Sequence, residues 1–168
     1  WPSMNINRAW WERRSEEDQL KEREKTLSDL SNVFKDARAY LNAKHSENQT
    51  GIPYHQIDLR WEAMAPVLEK KIPVLVGADD AQQIQAAAAW AEQENVNIVI
   101  IGGYDAAQCA ELLKAKNIPV VVSPIHRLPS RRWEAYDAQF SLPKRLYDAG
   151  VRFCIAGSDD GSNSRNLP

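Results

Sequence analysis

Short apolar runs alternate with amphipathic stretches over the second half of the chain. The runs are Ile72–Gly77, Val96–Ile101, Ile118–Val122 and Val151–Ala156. Between them, apolar residues recur three or four positions apart, which is the spacing of one helix face. These faces consist of Ile84, Ala87, Ala88 and Ala91, then Ala106, Cys109, Ala110 and Leu113, then Leu142, Leu146 and Ala149. Runs that are apolar at successive positions indicate strands buried on both faces, which is typical of a parallel sheet.

Helix stop signals separate each amphipathic stretch from the next run. Asn95, Asn117 and Gly150 stand at these points, and Asn and Gly are the residues that accept the left-handed backbone at a helix end. Strand and helix therefore alternate with short turns, as in α/β proteins. Two architectures fit this pattern, an open doubly wound sheet and part of a closed barrel. In a barrel the strands lie side by side in chain order, because each right-handed unit adds its strand on the same side.

The N-terminal part of the chain has a different pattern. From Glu16 to Lys44 the sequence is rich in charge, with apolar residues spaced as one face of a long helix. That face consists of Leu27, Leu30, Phe34, Ala37 and Leu41. A second helix is predicted from Asp58 to Lys70, where Pro66 marks a kink or a limit. We therefore expect a helical segment, residues 1–70, that packs on a sheet-containing domain, residues 71–168.

Composition and charge exclude several classes of partner. The chain has 168 residues, of which 43% are hydrophobic and 26% are charged. These values are ordinary for a globular domain with a core of its own. The formal net charge of −2 lacks the basic footprint of a nucleic-acid-binding protein. No apolar run approaches the ~20 residues that a membrane span needs. We expect neither nucleic acid nor a membrane as a partner.

The two cysteines, Cys109 and Cys154, are too few for a disulfide framework and too far apart for a zinc motif. Cys109 falls on a predicted helix face, and Cys154 falls inside an apolar run. Since free cysteine is among the most buried residue types, we expect both side chains in the core.

Polar residues follow the predicted strands at the edge of the sheet where parallel α/β proteins bind ligands. The four segments are Gly77–Asp80, Gly102–Asp105, Ser123–His126 and Gly157–Asp160. Asp80 and Asp105 each have a Gln three positions later, so capping boxes account for both carboxylates. The Gly102-Gly103 pair fits a turn, since neither GxGxxG nor GxxxxGK[ST] is present.

Asp159 and His126 are the candidate functional residues at this edge. Asp159 directly follows the last apolar run, a place suited to ligating a metal or to accepting a proton from a bound water. A turn with Asp160 is the alternative. His126 follows the third run and is placed to contact substrate, with a surface histidine as the alternative. The sequence has no HxH, HExxH or CxxC, so we expect no metal site within this chain.

An ordered set of sequence pieces carries a resemblance to a known family. The pieces are Pro66–Leu68, Ile72–Ala78, Val99–Gly103 with Asp105-Ala106, Ile118–Pro124, Leu146–Val151 and Ile155–Asp159. Together they resemble the C-terminal half of the amidohydrolase superfamily, in particular its imidazolonepropionase-related branch. The resemblance is close from Trp61 to Pro168 and extends more loosely to Phe34–Lys44.

The resemblance implies a (β/α)8 barrel in which a metal-bound hydroxide, usually on zinc, hydrolyses amide-like and related bonds. The family's metal ligands are an HxH on the first strand, a Lys or Glu on the fourth, a His on each of the fifth and sixth, and an Asp on the eighth. By this resemblance the chain supplies strands five to eight, and Asp159 matches the eighth-strand Asp. Gly77 takes the position of the fifth-strand His, and Gly102 or Gly103 that of the sixth.

We therefore interpret the chain as a parallel (β/α) half-barrel with extra N-terminal helices, a fragment of an amidohydrolase-like protein. The family chemistry would be metal-dependent hydrolysis of C–N bonds, with Asp159 taking the proton of the attacking water and His126 contacting a small-molecule substrate. Because glycines stand at two imidazole positions, we expect no metal cofactor in this chain and no activity of it alone. The alternatives are a non-catalytic barrel-derived binding or structural domain and an independent flavodoxin-like domain. As partners we expect the remainder of the barrel or a second copy of the chain.

Overall fold

Helices and strands follow one another in the predicted order. A computed structural model describes residues 16–46, 56–123 and 128–157. Its elements are α1 (Glu16–Ser46), α2 (Leu59–Leu68), β1 (Val74–Ala78), α3 (Ala81–Gln93), β2 (Ile98–Gly102), α4 (Ala110–Ala115), β3 (Val120–Val122), α5 (Leu142–Ala149) and β4 (Phe153–Ile155). The chain divides into two units, residues 1–62 and 63–168, and each is described by itself.

In the first unit, α1 covers 31 residues, close to the predicted Glu16–Lys44. Its apolar face is buried only toward the C-terminal end. Phe34 and Ala37 are buried, whereas Leu27 and Leu30 are 55% and 38% exposed. Although α1 is long, no helix among the described residues is apolar enough over a sufficient length to cross a membrane.

Polar side chains join the end of α1 to the start of α2. Glu62 Oε1 accepts hydrogen bonds from the Tyr40 hydroxyl at 2.7 Å and from Lys44 Nζ at 2.5 Å. The bond from Lys44, and then that from Tyr40, holds the pKa of the Glu62 carboxyl below its usual value. α2 is slightly shorter than the predicted helix from Asp58 to Lys70, and it ends two residues after Pro66.

The same turn leads from a helix into each of the four strands. This turn is a Schellman motif. A residue with a left-handed backbone follows the helix, and the N–H of the next residue donates a hydrogen bond to a carbonyl in the last turn of the helix. The left-handed residues are Lys70, Asn95, Asn117 and Gly150, with φ of 60, 50, 55 and 74°. The N–H groups that follow, of Lys71, Val96, Ile118 and Val151, donate to the carbonyls of Pro66, Ala91, Leu113 and Leu146 at 2.9–3.0 Å. The predicted stops at Asn95, Asn117 and Gly150 are confirmed.

Each strand begins two residues later than the apolar run that predicted it. Val96, Ile118 and Val151 lie in these runs, but their N–H groups return to the preceding helix. A backbone N–H used in this way is not available to the neighbouring strand. The side chains of the same residues are buried. The apolar run therefore includes the residue that closes the Schellman turn as well as the strand itself.

The strands form one parallel sheet in the order β1-β2-β3-β4. The register pairs Val74 with Ile98, Ile100 with Val120, and Val120 with Phe153. This order confirms the sequential arrangement that was predicted. It contradicts the doubly wound alternative, in which the strand order reverses part-way through the sheet.

Helices cover one face of the sheet. α3 packs on β1 and β2, and α5 packs on β4 and α4. The largest fully buried side chains are Ile84, Ile100, Leu113, Leu142, Leu146, Val120 and Val122. On the other face Leu75 is 63% and Ile101 37% exposed, and Gly77 and Cys154 are exposed too. These four residues define the open face.

The exposure of the open face shows that two predictions were wrong. Continuous apolar runs predicted strands buried on both sides, but the described residues of the second unit cover only one side. Cys154 was expected in the core and is exposed, whereas Cys109 is buried as predicted. Burial raises the pKa of the Cys109 thiol. An apolar run indicates that both faces of a strand need to be buried. It does not show which residues bury them.

Candidate functional site

The segments that follow the strands are joined in pairs by hydrogen bonds. After β1 and β2, the N–H of Gly103 donates to the carbonyl of Ala78 at 2.8 Å. After β3 and β4, the Ser123 hydroxyl donates to the carbonyl of Gly157 at 3.1 Å. The carboxyl ends of all the strands therefore meet at one edge of the sheet, as the parallel order requires.

Of the two predicted caps, at Asp80 and Asp105, only the first is formed. Asp80 is the N-cap of α3, and the Gln83 side chain accepts the Asp80 N–H at 3.3 Å in a capping box. After Asp105 the chain continues in turns, and α4 begins only at Ala110. The Asp105 carboxylate instead accepts the N–H of Ala81, the first residue of α3, at 3.3 Å. The Gln108 side chain reaches back as predicted, since its Nε2 donates to Asp105 Oδ1 at 2.9 Å, but no helix begins there for the pair to cap.

Gly102 and Gly103 are required by the backbone. Their φ angles are +102° and +68°, values that side chains with a Cβ rarely adopt. A Cβ on Gly102 would lie 2.6 Å from Asp79 Oδ1, and one on Gly103 would lie 2.6 Å from Val120 Cγ1. The structure shows the turn that was predicted for this pair. Gly77 differs, because a Cβ added there meets no atom within 4 Å.

Arg131 gathers carboxylates from three separate segments. Its Nη1 and Nη2 donate to Oδ1 and Oδ2 of Asp105, each at 2.7 Å. Nη2 also donates to Asp80 Oδ1 at 3.0 Å, and Nη1 to Glu134 Oε1 at 3.1 Å. The guanidinium lies 5.3 Å from the centroid of the Tyr104 ring, and the Tyr104 hydroxyl donates to Glu134. These five residues form what we name the arginine cluster.

The charged groups of the arginine cluster form ion pairs with one another. The side chain of Asp105 is 7% exposed and that of Arg131 is 27% exposed. The hydrogen bonds from Arg131 hold the pKa of the Asp105 carboxyl below its usual value. The hydrogen bond from Tyr104, more than those from Arg131, lowers the pKa of Glu134. General acid–base catalysis needs a group that titrates near the working pH, so the cluster is suited to bracing rather than to proton transfer.

The arginine cluster holds the connection between β3 and α5 in place. Arg131 and Glu134 belong to this connection, whereas Asp80 and Asp105 follow β1 and β2. A cavity of about 330 Å³ lies between the connection and the turn after β2, with Trp133 in its wall. This volume is at the small end of the range for ligand pockets. The cluster therefore holds the far segment against the first two strands beside a small cavity.

Asp159 and His126, the two predicted site residues, lie outside the described residues. The described chain ends at Gly157, and it resumes at Leu128 after the gap that contains His126. Along the chain, the described neighbour of Asp159 is the end of β4, which is joined to Ser123. The described neighbour of His126 is the connection that the arginine cluster holds. The roles assigned to Asp159 and His126 stay predictions.

Sequence reasoning missed Arg131, Glu134 and Tyr104. Arg131 lies 26 positions from Asp105 along the chain, in a polar stretch without helix or strand periodicity. The one available signal is the spacing of Arg131 and Glu134, since residues three apart can pair within a turn. Nothing local distinguishes Arg131 from the adjacent Arg132, which is exposed.

The described residues do not fit a zinc ion. Within residues 16–46, 56–123 and 128–157, no three His, Cys, Asp or Glu side chains are grouped so that they could hold a metal. Zinc requires three or four such ligands. At the position that the resemblance aligns with the sixth-strand imidazole, the backbone of Gly102 and Gly103 admits no side chain without displacing its neighbours.

Comparison with known proteins relates the chain to a solved structure. No family model matches the sequence, and no curated protein matches it. The crystal structure of an amidohydrolase from Thermotoga maritima MSB8 matches with a TM-score of 0.64 and 29% sequence identity. The match covers 81% of this chain and 35% of that chain, so the chain spans about a third of the length of the solved structure. In fold and in sequence the chain is therefore similar to part of an amidohydrolase, which supports the amidohydrolase superfamily.

Proposed function

We propose that the chain is half of an amidohydrolase-type barrel, strands five to eight, whose family chemistry is metal-dependent hydrolysis of C–N bonds. The observation that carries the proposal is a sequential parallel sheet with helices on one face and an open apolar face on the other. Eight strands close such a sheet into a barrel and cover its inner face. The similarity to the Thermotoga maritima amidohydrolase supports the same assignment. Within the superfamily, the sequence pieces favour the imidazolonepropionase-related branch.

In this proposal Asp159 accepts the proton of an attacking water molecule and His126 contacts the substrate. Both residues belong to segments that follow strands, at the end of a barrel where catalytic residues are placed. Arg131 is a positioning residue, since it holds the connection between β3 and α5, in which it lies five positions after His126. Since no group of three potential metal ligands occurs among the described residues, we propose that the chain alone does not hydrolyse substrate.

A non-catalytic binding or structural domain derived from the same barrel is the second candidate. The observation that favours it is the steric constraint at Gly102 and Gly103, which leaves no room for an imidazole where the resemblance implies one. Such a domain would keep the packing of the barrel and lose its hydrolytic chemistry.

A chimera tests the half-barrel, with this chain replacing the matching 35% of the Thermotoga maritima amidohydrolase. We expect a monomer with one cooperative unfolding transition and little binding of a hydrophobic dye, because the open face is then covered. The matched control carries Leu75→Lys and Ile101→Lys, and it should lose cooperative unfolding because buried lysines lack partners. Two independent transitions in the unmodified chimera would contradict the half-barrel.

Activity assays separate the two candidate functions. Hydrolysis of cyclic and N-acyl amides by the zinc-supplemented chimera, abolished by Asp159→Asn, would support the enzyme. A folded chimera without turnover would support the non-catalytic domain. For the chain alone we expect no turnover and less than stoichiometric zinc by elemental analysis. Stoichiometric zinc that is lost with Asp159→Asn would overturn the alignment of the strands.

A further inference from the structure

A larger cavity lies at the amino ends of the strands, at the opposite edge of the sheet from the candidate functional site. It has a volume of about 490 Å³, and its walls come from the turns that lead into the strands. The lining is drawn from residues 70–73, 88–99, 116–119 and 152, all within the second unit. Its volume falls within the range of small-molecule sites, ~300–1,000 Å³. We refer to it as the amino-end cavity.

The amino-end cavity is basic, although the chain as a whole has a net charge of −2. Its lining contains the carboxylate of Glu92 and the cations Lys70, Lys71, Lys116 and Arg152. Glu92 pairs with Lys116 at 2.6 Å, and Lys71 pairs with Glu69 at 2.6 Å. With Glu69 included, the lining residues and their ion-pair partners comprise four cations and two carboxylates. The wall therefore carries an excess of positive charge.

Lys70 and Lys71 depart from the rule of the other helix-to-strand turns. Before β2, β3 and β4, the left-handed position is Asn or Gly and the next residue is a buried Val or Ile. Before β1 both positions are lysine, with Lys70 at φ 60° and Lys71 exposed. A left-handed backbone is unfavourable for a residue with a Cβ and no short polar side chain. Residues that break a local rule mark positions where another requirement applies.

Hydrogen bonds hold Lys70 at the wall of the cavity. Its Nζ donates to Asn95 Oδ1 at 2.6 Å, and its carbonyl accepts from Asn97 Nδ2 at 3.1 Å. Across the cavity, Arg152 Nη2 donates to the carbonyl of Asn117 at 3.0 Å. Cations on separate turns are thus fixed around one space.

We propose that the amino-end cavity binds a small multivalent anion bearing phosphate or carboxylate groups. Lys70 precedes β1, Lys116 precedes β3 and Arg152 precedes β4, so a ligand with two or more anionic groups contacts several turns at once. A guanidinium binds phosphate and carboxylate oxygens in pairs, and the ammonium groups supply further charge. The proposal is independent of the hydrolase assignment, because the cavity lies at the other edge of the sheet.

Titration of the full chain with tripolyphosphate and with citrate tests this site. At low ionic strength we expect saturable changes in the backbone amide NMR signals of residues 95–97 and 116–118. Saturation with tripolyphosphate alone assigns a phosphate ligand, and saturation with citrate alone assigns a polycarboxylate. Lys116→Gln and Arg152→Gln should each weaken binding about tenfold, since each removes a charge-assisted hydrogen bond. Lys144→Gln, on α5 and outside the lining, is the matched control and should bind as the unmodified chain.

Lys70→Asn separates a role in binding from a role in folding. Asn stands at the same point of two other turns, so this variant should keep or raise the melting temperature. It should nevertheless bind the anion more weakly. Absence of saturable binding at millimolar concentrations of both probes would overturn the proposal. So would unchanged affinity in Lys70→Asn, or an equal loss of affinity in Lys144→Gln.

Discussion

At the scale of single residues, two adjacent arginines have similar sequence contexts and different surroundings. Arg131 donates to three carboxylates, one of them the buried Asp105, whereas Arg132 is exposed. We expect Arg131→Ala to lower the melting temperature by about 5–10 °C, because it leaves a buried carboxylate without its cationic partner. Arg132→Ala is the matched control and should change it by about 1 °C or less. Calorimetry measures both, and equal effects would show that the arginine cluster does not stabilise the fold.

Asp105 makes part of the stability dependent on pH. The hydrogen bonds from Arg131 lower the pKa of this carboxyl in the folded chain. Such a group contributes stability above its unfolded pKa, and the contribution is lost as the pH falls through the lowered folded value. We expect Asp105→Asn to reduce the free energy of unfolding by about 2–3 kcal/mol at neutral pH. The difference from the unmodified chain should shrink below about pH 4.

Urea unfolding from pH 7 down to pH 3 measures this dependence. Asp137→Asn is the control, because Asp137 is exposed and its replacement should leave stability nearly unchanged at each pH. A deficit of Asp105→Asn that stays constant over the whole range would contradict the link between the Arg131–Asp105 pair and acid sensitivity.

At the scale of elements, one turn design precedes every strand, and it depends on a left-handed residue. Gly150 has a φ of 74°, and a Cβ there would lie 3.1 Å from Lys114 Nζ. We expect Gly150→Ala to lower the free energy of unfolding by about 1–2 kcal/mol, the cost of a left-handed residue with a Cβ.

Gly77→Ala is the matched control for this prediction. Gly77 lies in β1, and a Cβ added there meets nothing within 4 Å. Since Gly weakens a strand relative to Ala by about 0.5–1 kcal/mol, this variant should be neutral or slightly stabilising. Denaturant unfolding of both variants provides the measurement. A loss of stability in Gly77→Ala equal to that in Gly150→Ala would argue against the turn as the cause.

At the scale of the whole molecule, the open face and the sheet edges predict association. β1 and β4 are the edge strands of the described sheet, and exposed edges and apolar faces favour pairing with another chain. Because all strands run in one direction, β4 of one copy can pair in parallel with β1 of another. Two copies then supply eight strands, the number that closes a barrel of this kind. We therefore predict that the isolated chain forms dimers through its open face.

Light scattering over a range of concentrations measures this association. We expect the mass to rise toward that of a dimer, and Leu75→Lys to shift the equilibrium to the monomer. Leu59→Lys is the control, since Leu59 is also exposed but lies on α2. Cys154 gives a second readout, because its thiol should react more slowly with a thiol reagent as the concentration rises. A monomer at every concentration, with uniformly reactive Cys154, would contradict the prediction.

The sequence by itself determined which elements form and in what order they occur. Apolar runs, helix periodicity and the stop residues Asn95, Asn117 and Gly150 act over a few positions, and the backbone responds to them locally. Right-handed connections then led to the sequential strand order. The location of the candidate site was also predicted from the parallel arrangement, because parallel strands have their carboxyl ends at the same edge of the sheet.

Only the tertiary structure decided which residues meet at that edge and which face of the sheet is covered. Asp105 does not cap the helix that follows it, and its carboxylate accepts hydrogen bonds from Arg131, 26 positions away along the chain. Cys154 is exposed because α5, the helix of the second unit that packs on β4, lies on the other side of this strand. The strands start late because their first apolar residues return to the preceding helix. Each of these outcomes depends on a residue that is distant along the chain or on another element. An apolar or charged residue does not by itself specify which distant residue it will contact.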